Sequence, residues 1–146
     1  MTILITGGTK GIGLGIAEHL AGCGEPLVLG WHADAAAAEA AVARLTALGA
    51  QASAVQADVA EIDGCARLVR AAGEFGQGPL HIVHAAAAVW PTRLMDVDLT
   101  AFTRAIQANG LSLLYLVFVI YVLSAGAVVR RMVQKEVARV RIRPTF

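Results

Sequence analysis

The sequence predicts an α/β fold on a doubly wound parallel sheet, with four strands encoded in 146 residues. Three observations lead there. Short aliphatic runs alternate with helix-periodic stretches four times over, and repetition of that unit implies right-handed crossovers between parallel strands. Glycines cluster at the first strand–helix junction. The composition is 57% hydrophobic but only 5% aromatic, with alanine prominent, so the core is aliphatic and built from small side chains. Charged residues make up 16%, against roughly 25% in an average globular domain, and that balance excludes intrinsic disorder. Cys23 and Cys65 are far apart, with no paired ligands near either. This excludes a disulfide-stapled mini-protein and a zinc site, and predicts buried reduced thiols in a cytoplasmic protein.

Thr2-Ile3-Leu4-Ile5-Thr6 is a β-branched and aliphatic run ending in glycines, which reads as a buried strand. Ile12 to Cys23 places apolar residues at helical spacing, and Gly24 ends the helix. Pro26 to Trp31 is the second strand. Asp34 caps an alanine-rich helix that runs to about Leu48 before Gly49. Gln51–Gln56 is the third strand, and Asp63 is expected to cap a helix to about Phe75. Leu80–His84 is the fourth strand. Asp98 or Thr100 starts a long helix whose second half merges into an apolar run.

Leu111–Val129 contains no charged residue, close to the ~20 apolar residues that span a bilayer. A helix apolar all round is also compatible with burial in a core, and here it begins in a segment expected to pack on the sheet. Residues 1–129 carry 6 basic and 10 acidic side chains, net −4; residues 130–146 carry 6 basic and 1 acidic, net +5. That basic tail lacks aromatic interleaving, so nucleic acid is not expected as a partner. Met1–Ile5 has no basic flank, so no secretory signal is expected at the start.

Thr6-Gly7-Gly8-Thr9-Lys10-Gly11-Ile12-Gly13 lies where the first strand meets the first helix. Backbone amides at a helix N-terminus attract a pyrophosphate, and glycine lets the chain approach it closely. The context of buried strand, glycines and helix is the one a phosphate-binding loop requires. The spacing Thr-Gly-x-x-x-Gly-x-Gly resembles the short-chain dehydrogenase/reductase family, and further stretches carry the same resemblance. Asp58-Val59 follows the third strand, where the family keeps an aspartate that accepts from the adenine amino group. His84-Ala85-Ala86-Ala87 is similar to the family's turn after its fourth strand, with Ala87 where glycine is usual. Asn109 matches the helix-borne active-site asparagine.

The resemblance covers residues 1 to about 117; residues 118–146, the apolar run and basic tail, look unfamiliar. It implies the N-terminal, incomplete portion of a Rossmann-type sheet, possessing an NAD(P)(H) site made of Gly7, Thr9, Lys10, Gly11, Ile12, Gly13, His32, Asp58, Val59, Ala85 and Ala86. It also implies hydride transfer to or from a carbonyl, alcohol or enoyl substrate, with enoyl-acyl-carrier-protein reductase-like members among the similar ones. The end of the second strand, Gly30-Trp31, lacks the carboxylate that binds an NAD ribose. Lys10, helped by His32, suits a 2′-phosphate, so NADP(H) is favoured over NAD(H), with Asp34 close by as an unfavourable charge.

The family's catalytic pair is missing. Val119 stands four residues after Tyr115 and Ala125 four after Tyr121, so there is no Tyr-x-x-x-Lys. Ser112 and Ser124 do not stand where the family's substrate-orienting serine does. His81 and His84 have no carboxylate or cysteine near them in sequence and read as structural. The expectation is therefore a truncated or frame-shifted family member that binds the dinucleotide without turnover. A non-catalytic nucleotide-binding fragment and a protein anchored through Leu111–Val129 stay open as alternatives. Lacking a fifth strand, the chain is expected to self-associate through the exposed sheet edge or the Asn109-bearing helix.

Overall fold

A computed structural model describes residues 1–89, 93 and 96–141, with side chains as far as Gln134. Arg143 and Pro144 of the basic tail lie outside the described residues. Four strands, β1 (Thr2–Thr6), β2 (Leu27–Trp31), β3 (Ala52–Gln56) and β4 (Leu80–His84), pair in parallel in the order β3-β2-β1-β4. β1 is central and buried along its whole length, paired with β2 from Ile3 opposite Leu27 and with β4 from Thr2 opposite Leu80. β4 is only partly buried, and among the described residues its outer edge has no neighbouring strand.

The period of two in β1 sends its side chains to two cores. Ile3 and Ile5 join Leu27, Leu29, Ala17, Ala41 and Leu45, under α1 (Gly11–Leu20) and α2 (Ala35–Ala47). Leu4 and Val28 join Cys65, Leu68, Val69 and Ala72 of α3 (Ile62–Phe75) on the opposite face. This is the doubly wound sandwich. Fully burying one leucine side chain contributes about 1.5–3 kcal/mol, so Leu4, Leu27, Leu29, Leu45 and Leu68, each at most 1% exposed, do much of the stabilising.

Helix ends follow their chemistry. Asp34 accepts from the Ala37 amide at 3.0 Å, and Asp98 from the Thr100 amide at 2.9 Å, so Asp98 rather than Thr100 is the cap. Asp63 does not cap α3. The helix begins two residues earlier than that cap would place it, at Ile62 with Glu61 in the cap position, and Asp63 lies in the first turn. Gly64 accompanies that early start: a Cβ there would overlap the Asp58 carbonyl. Cys65 is buried as expected, but Cys23 is exposed, because the short 3₁₀ turn Ala21–Cys23 ends α1 at the surface.

α4 (Leu99–Ile106) passes through a five-residue π turn (Gln107–Leu111) into α5 (Ser112–Arg141). The expectation that the apolar run would be buried is met along one stripe only. Ser112, Leu116 and Val119 pack against α3, whereas Leu113, Leu114, Val117, Phe118, Tyr121 and Val122 are exposed. The continuous helix Leu99–Gln134 is long and apolar enough to cross a membrane, and only 17% of its most apolar window is buried. Its one-sided packing has a simple cause: α3 and the sheet offer a single face, while the run is apolar around its whole circumference.

Candidate dinucleotide site

A cleft of about 630 Å³ opens at the carboxyl ends of the strands. The chain there leaves β1 toward β2 on one side and reaches β4 on the other. Such a switch point is where open α/β sheets bind ligands. Nine of the residues singled out in the sequence line this cleft: Gly7, Thr9, Lys10, Gly11, His32, Asp58, Val59, Ala85 and Ala86. Ile12, Gly13 and Asn109 do not line it. Ile12 is 81% exposed, and Gly13 is buried behind the loop.

Two glycines shape the loop in different ways. Gly7 has φ +64°, and a Cβ on it would come within 2.8 Å of the Ala86 Cα. Gly13 has ordinary helical geometry, but a Cβ there would overlap the Gly7 carbonyl oxygen. The first turn of α1 can therefore sit directly against the loop only if residue 13 has no side chain. α1 differs from α2 and α4 in having no side-chain cap. Its leading amides are left for an anion, where the helix dipole favours one.

The polar groups at the mouth are paired. Lys10 Nζ forms an ion pair with Asp34 Oδ2, which holds the Asp34 carboxyl below its usual range, aided by the Ala37 amide. Asp58 Oδ1 accepts from the Ala60 amide at 2.9 Å, while its Oδ2 pairs with Arg104 of α4 and lies 3.5 Å from His32 Nε2. The sequence reading missed Arg104. Its only signal was a lone cation seven residues after Val97, on a helix whose register against the cleft was not legible. It missed Gly64 as well.

Asn109, in the π turn, holds the far wall: its Oδ1 accepts from the Ala88 amide at 2.7 Å and its Nδ2 donates to the Ala88 carbonyl at 2.9 Å. Ala85–Ala88 form the wall itself. No non-glycine residue among those described has a positive φ, so alanine at position 87 sits there without strain. Burial pushes the Cys65 thiol up to about 11, with Asp58 adding to the shift, which makes it inert. Among the described residues no His, Cys, Asp and Glu cluster is arranged to hold a metal.

A glycine loop beneath an uncapped helix, at the switch point of a parallel sheet, is the arrangement that nucleotide-binding α/β proteins share. The short chain dehydrogenase family profile matches residues 1–140, and the chain belongs to that family. It is 42% identical over 74 residues to the short chain dehydrogenase/reductase AacuN of Aspergillus aculeatus, covering 50% of this chain and 28% of that protein. A short chain dehydrogenase from Burkholderia cenocepacia in complex with NADP superposes with a TM-score of 0.74 at 30% identity, over 81% of this chain and 48% of that one. An NADH-dependent reductase complexed with NAD gives 0.69 at 31% identity, over 78% and 48%. The chain thus spans about half the length of these solved structures and less of the curated relative.

Proposed function

We propose that these 146 residues form the dinucleotide-binding half of an NAD(P)(H)-dependent oxidoreductase and take NADP(H) in preference to NAD(H). The observation that carries this reading is the Gly13–Gly7 contact, which brings the uncapped first turn of α1 onto the loop lining the cleft. Gly7, Thr9 and Gly11 would hold the pyrophosphate by backbone amides, with Ile12 and Gly13, off the cleft lining, fixing the first turn of α1 behind them. Asp58 and Val59 would receive the adenine, and Ala85 and Ala86 would flank the ribose. Lys10 and His32 would meet the 2′-phosphate, with Lys10 released from Asp34 as the phosphate arrives. In this reading residues 1–117 carry the cofactor machinery and 118–146 extend the helix, in a cytoplasmic protein.

When bound, the dinucleotide supplies or accepts a hydride, and the substrate class is a carbonyl, alcohol or enoyl compound. Asn109 is the family's one active-site residue with a match here, and its amide is engaged with Ala88. A tyrosine needs a cationic neighbour to act as an acid near neutral pH, since its ordinary pKa is about 10. No lysine follows Tyr115 or Tyr121 at the required spacing. The chain therefore binds without turnover. Purified chain mixed with NADPH and carbonyl or enoyl substrates should oxidise the cofactor no faster than buffer does. Substrate-dependent oxidation well above that rate would contradict the reading.

A second reading rests on one observation, the exposed apolar face of Leu99–Gln134. That face, or the open edge of β4, would be covered by a second copy of the chain or by lipid.

A further inference from the structure

Behind the cleft wall, Thr6, His84 and Ser112 form an unbroken line of hydrogen bonds. Thr6 and Ser112 are fully buried, and His84 is half-buried. Ser112 Oγ donates to the Ala108 carbonyl at 2.7 Å. With its one proton committed there, it can only accept at its 2.9 Å contact with His84 Nε2. Nε2 must then carry the imidazole proton, which leaves Nδ1 as an acceptor. The 2.8 Å contact between Nδ1 and Thr6 Oγ1 is accordingly donated by the threonine hydroxyl. Thr6 Oγ1 in turn accepts from the amides of Ala85 and Ala86, both at 3.2 Å. The direction of every bond in the line follows from the first one, and a fully satisfied buried network is rigid.

The two ends of this line lie on the two structures that matter most for the site. One end is the Ala85–Ala86 wall of the cleft, and the other is the π turn that carries Ala108 and Asn109. A serine beside a histidine suggests a nucleophile, but Ser112 is 0% exposed and its proton points at a carbonyl. No substrate could reach it.

We propose that His84 is a positioning residue: held as the neutral Nε2–H tautomer between Ser112 and Thr6, it couples the π turn to the backbone amides of the cleft wall and so sets dinucleotide affinity from behind that wall. The inference rests on the dinucleotide reading above for its ligand, but not for the coupling. Burial lowers the imidazole's affinity for a second proton, in keeping with a ring that stays neutral. The groups around the line do not ionise near neutral pH: Thr6 from β1, Ser112 from α5, and Cys65 of α3, whose Sγ lies 3.9 Å from the Ser112 carbonyl oxygen. A proton on Nδ1 would face the Thr6 hydroxyl and force it to turn, disturbing both alanine amides.

The test is nitrogen-15 NMR on the full chain, followed by NADPH titration. The imidazole should show a protonated Nε2 and an accepting Nδ1, and Ser112→Ala should shift the Ala85 and Ala86 amide resonances across the relay. NADPH affinity should fall several-fold in Ser112→Ala and tenfold or more in His84→Leu. His84→Asn, which keeps one donor and one acceptor, should recover part of that loss. An Nδ1–H tautomer, or alanine amides unmoved by Ser112→Ala, would overturn the inference, as would wild-type affinity in a folded His84→Leu chain. If His84→Leu does not fold, Ser112→Ala decides. A wild-type chain that binds no dinucleotide would instead overturn the functional reading, and the amide shifts would still decide the coupling.

Discussion

Asn109 grips Ala88 by both of its backbone polar groups, accepting from the amide at 2.7 Å and donating to the carbonyl at 2.9 Å. This pairing ties the turn after β4 to the π turn between α4 and α5. π turns inside helices often mark functional sites, because the extra residue redirects a side chain. Here the redirected side chain secures the cleft wall.

The pairing predicts a graded series at position 109. Asn109→Ala loses both hydrogen bonds, each worth about 0.5–1.5 kcal/mol net, and the lower end applies because the residue is exposed. Thermal melts should show a loss of about 1 kcal/mol. Asn109→Asp should lose more, since a carboxylate cannot donate to the Ala88 carbonyl and repels it. Equal melting temperatures for all three chains would contradict the assignment.

Lys10 and Asp34 predict a change of cofactor preference. Asparagine is as good a helix cap as aspartate, so Asp34→Asn should keep α2 intact while releasing Lys10 toward a 2′-phosphate. NADPH affinity should rise about fivefold, with NADH changing less. Lys10→Ala should weaken NADPH more than NADH. Equal losses for both cofactors in a titration would remove Lys10 from the phosphate site.

Much of this site was legible before the fold was known, because glycines and capping residues act locally. The positive φ of Gly7 and Gly11 and the caps made by Asp34 and Asp98 are set within a few residues of themselves. Arg104 and the Ser112–His84 contact were not legible. The arginine meets Asp58 across 46 positions and the serine meets His84 across 28, and only the packing of α4 and α5 sets those distances. The exposed face of α5 escaped for a related reason. A run apolar on all sides carries no periodic signal to say which side packs.

His84 predicts a pH dependence of stability with a definite sign. Burial lowers its pKa from 6.5 in the folded chain, so the unfolded chain binds the extra proton more readily. The associated stability is fully present above about pH 6.5 and is lost as pH falls toward the folded-state value. Melting temperature should therefore drop as pH is lowered below 6.5, and the slope should be shallower in His84→Asn. A wild-type melting temperature unchanged over that window would contradict the buried neutral imidazole.

The open edge of β4 and the exposed face of α5 predict association. Unpaired strand edges template pairing with another chain, and exposed apolar side chains gathered on one helix face, as Leu113, Leu114, Val117, Phe118 and Tyr121 are, mark contact surfaces for protein or lipid. Size-exclusion chromatography with light scattering should show dimers, larger species or detergent dependence. A monodisperse 15.2 kDa monomer with a cooperative melt would show that the edge and helix face need no partner.

Isothermal titration of NADPH into wild-type chain and Gly13→Val tests the central claim most directly. A Cβ at residue 13 overlaps the Gly7 carbonyl oxygen, so valine must push the first turn of α1 off the phosphate loop. The account predicts saturable one-to-one binding to wild type and none to a Gly13→Val chain whose circular dichroism still reports helix and sheet. Equal affinity in the two chains, or no binding to wild type, would contradict it.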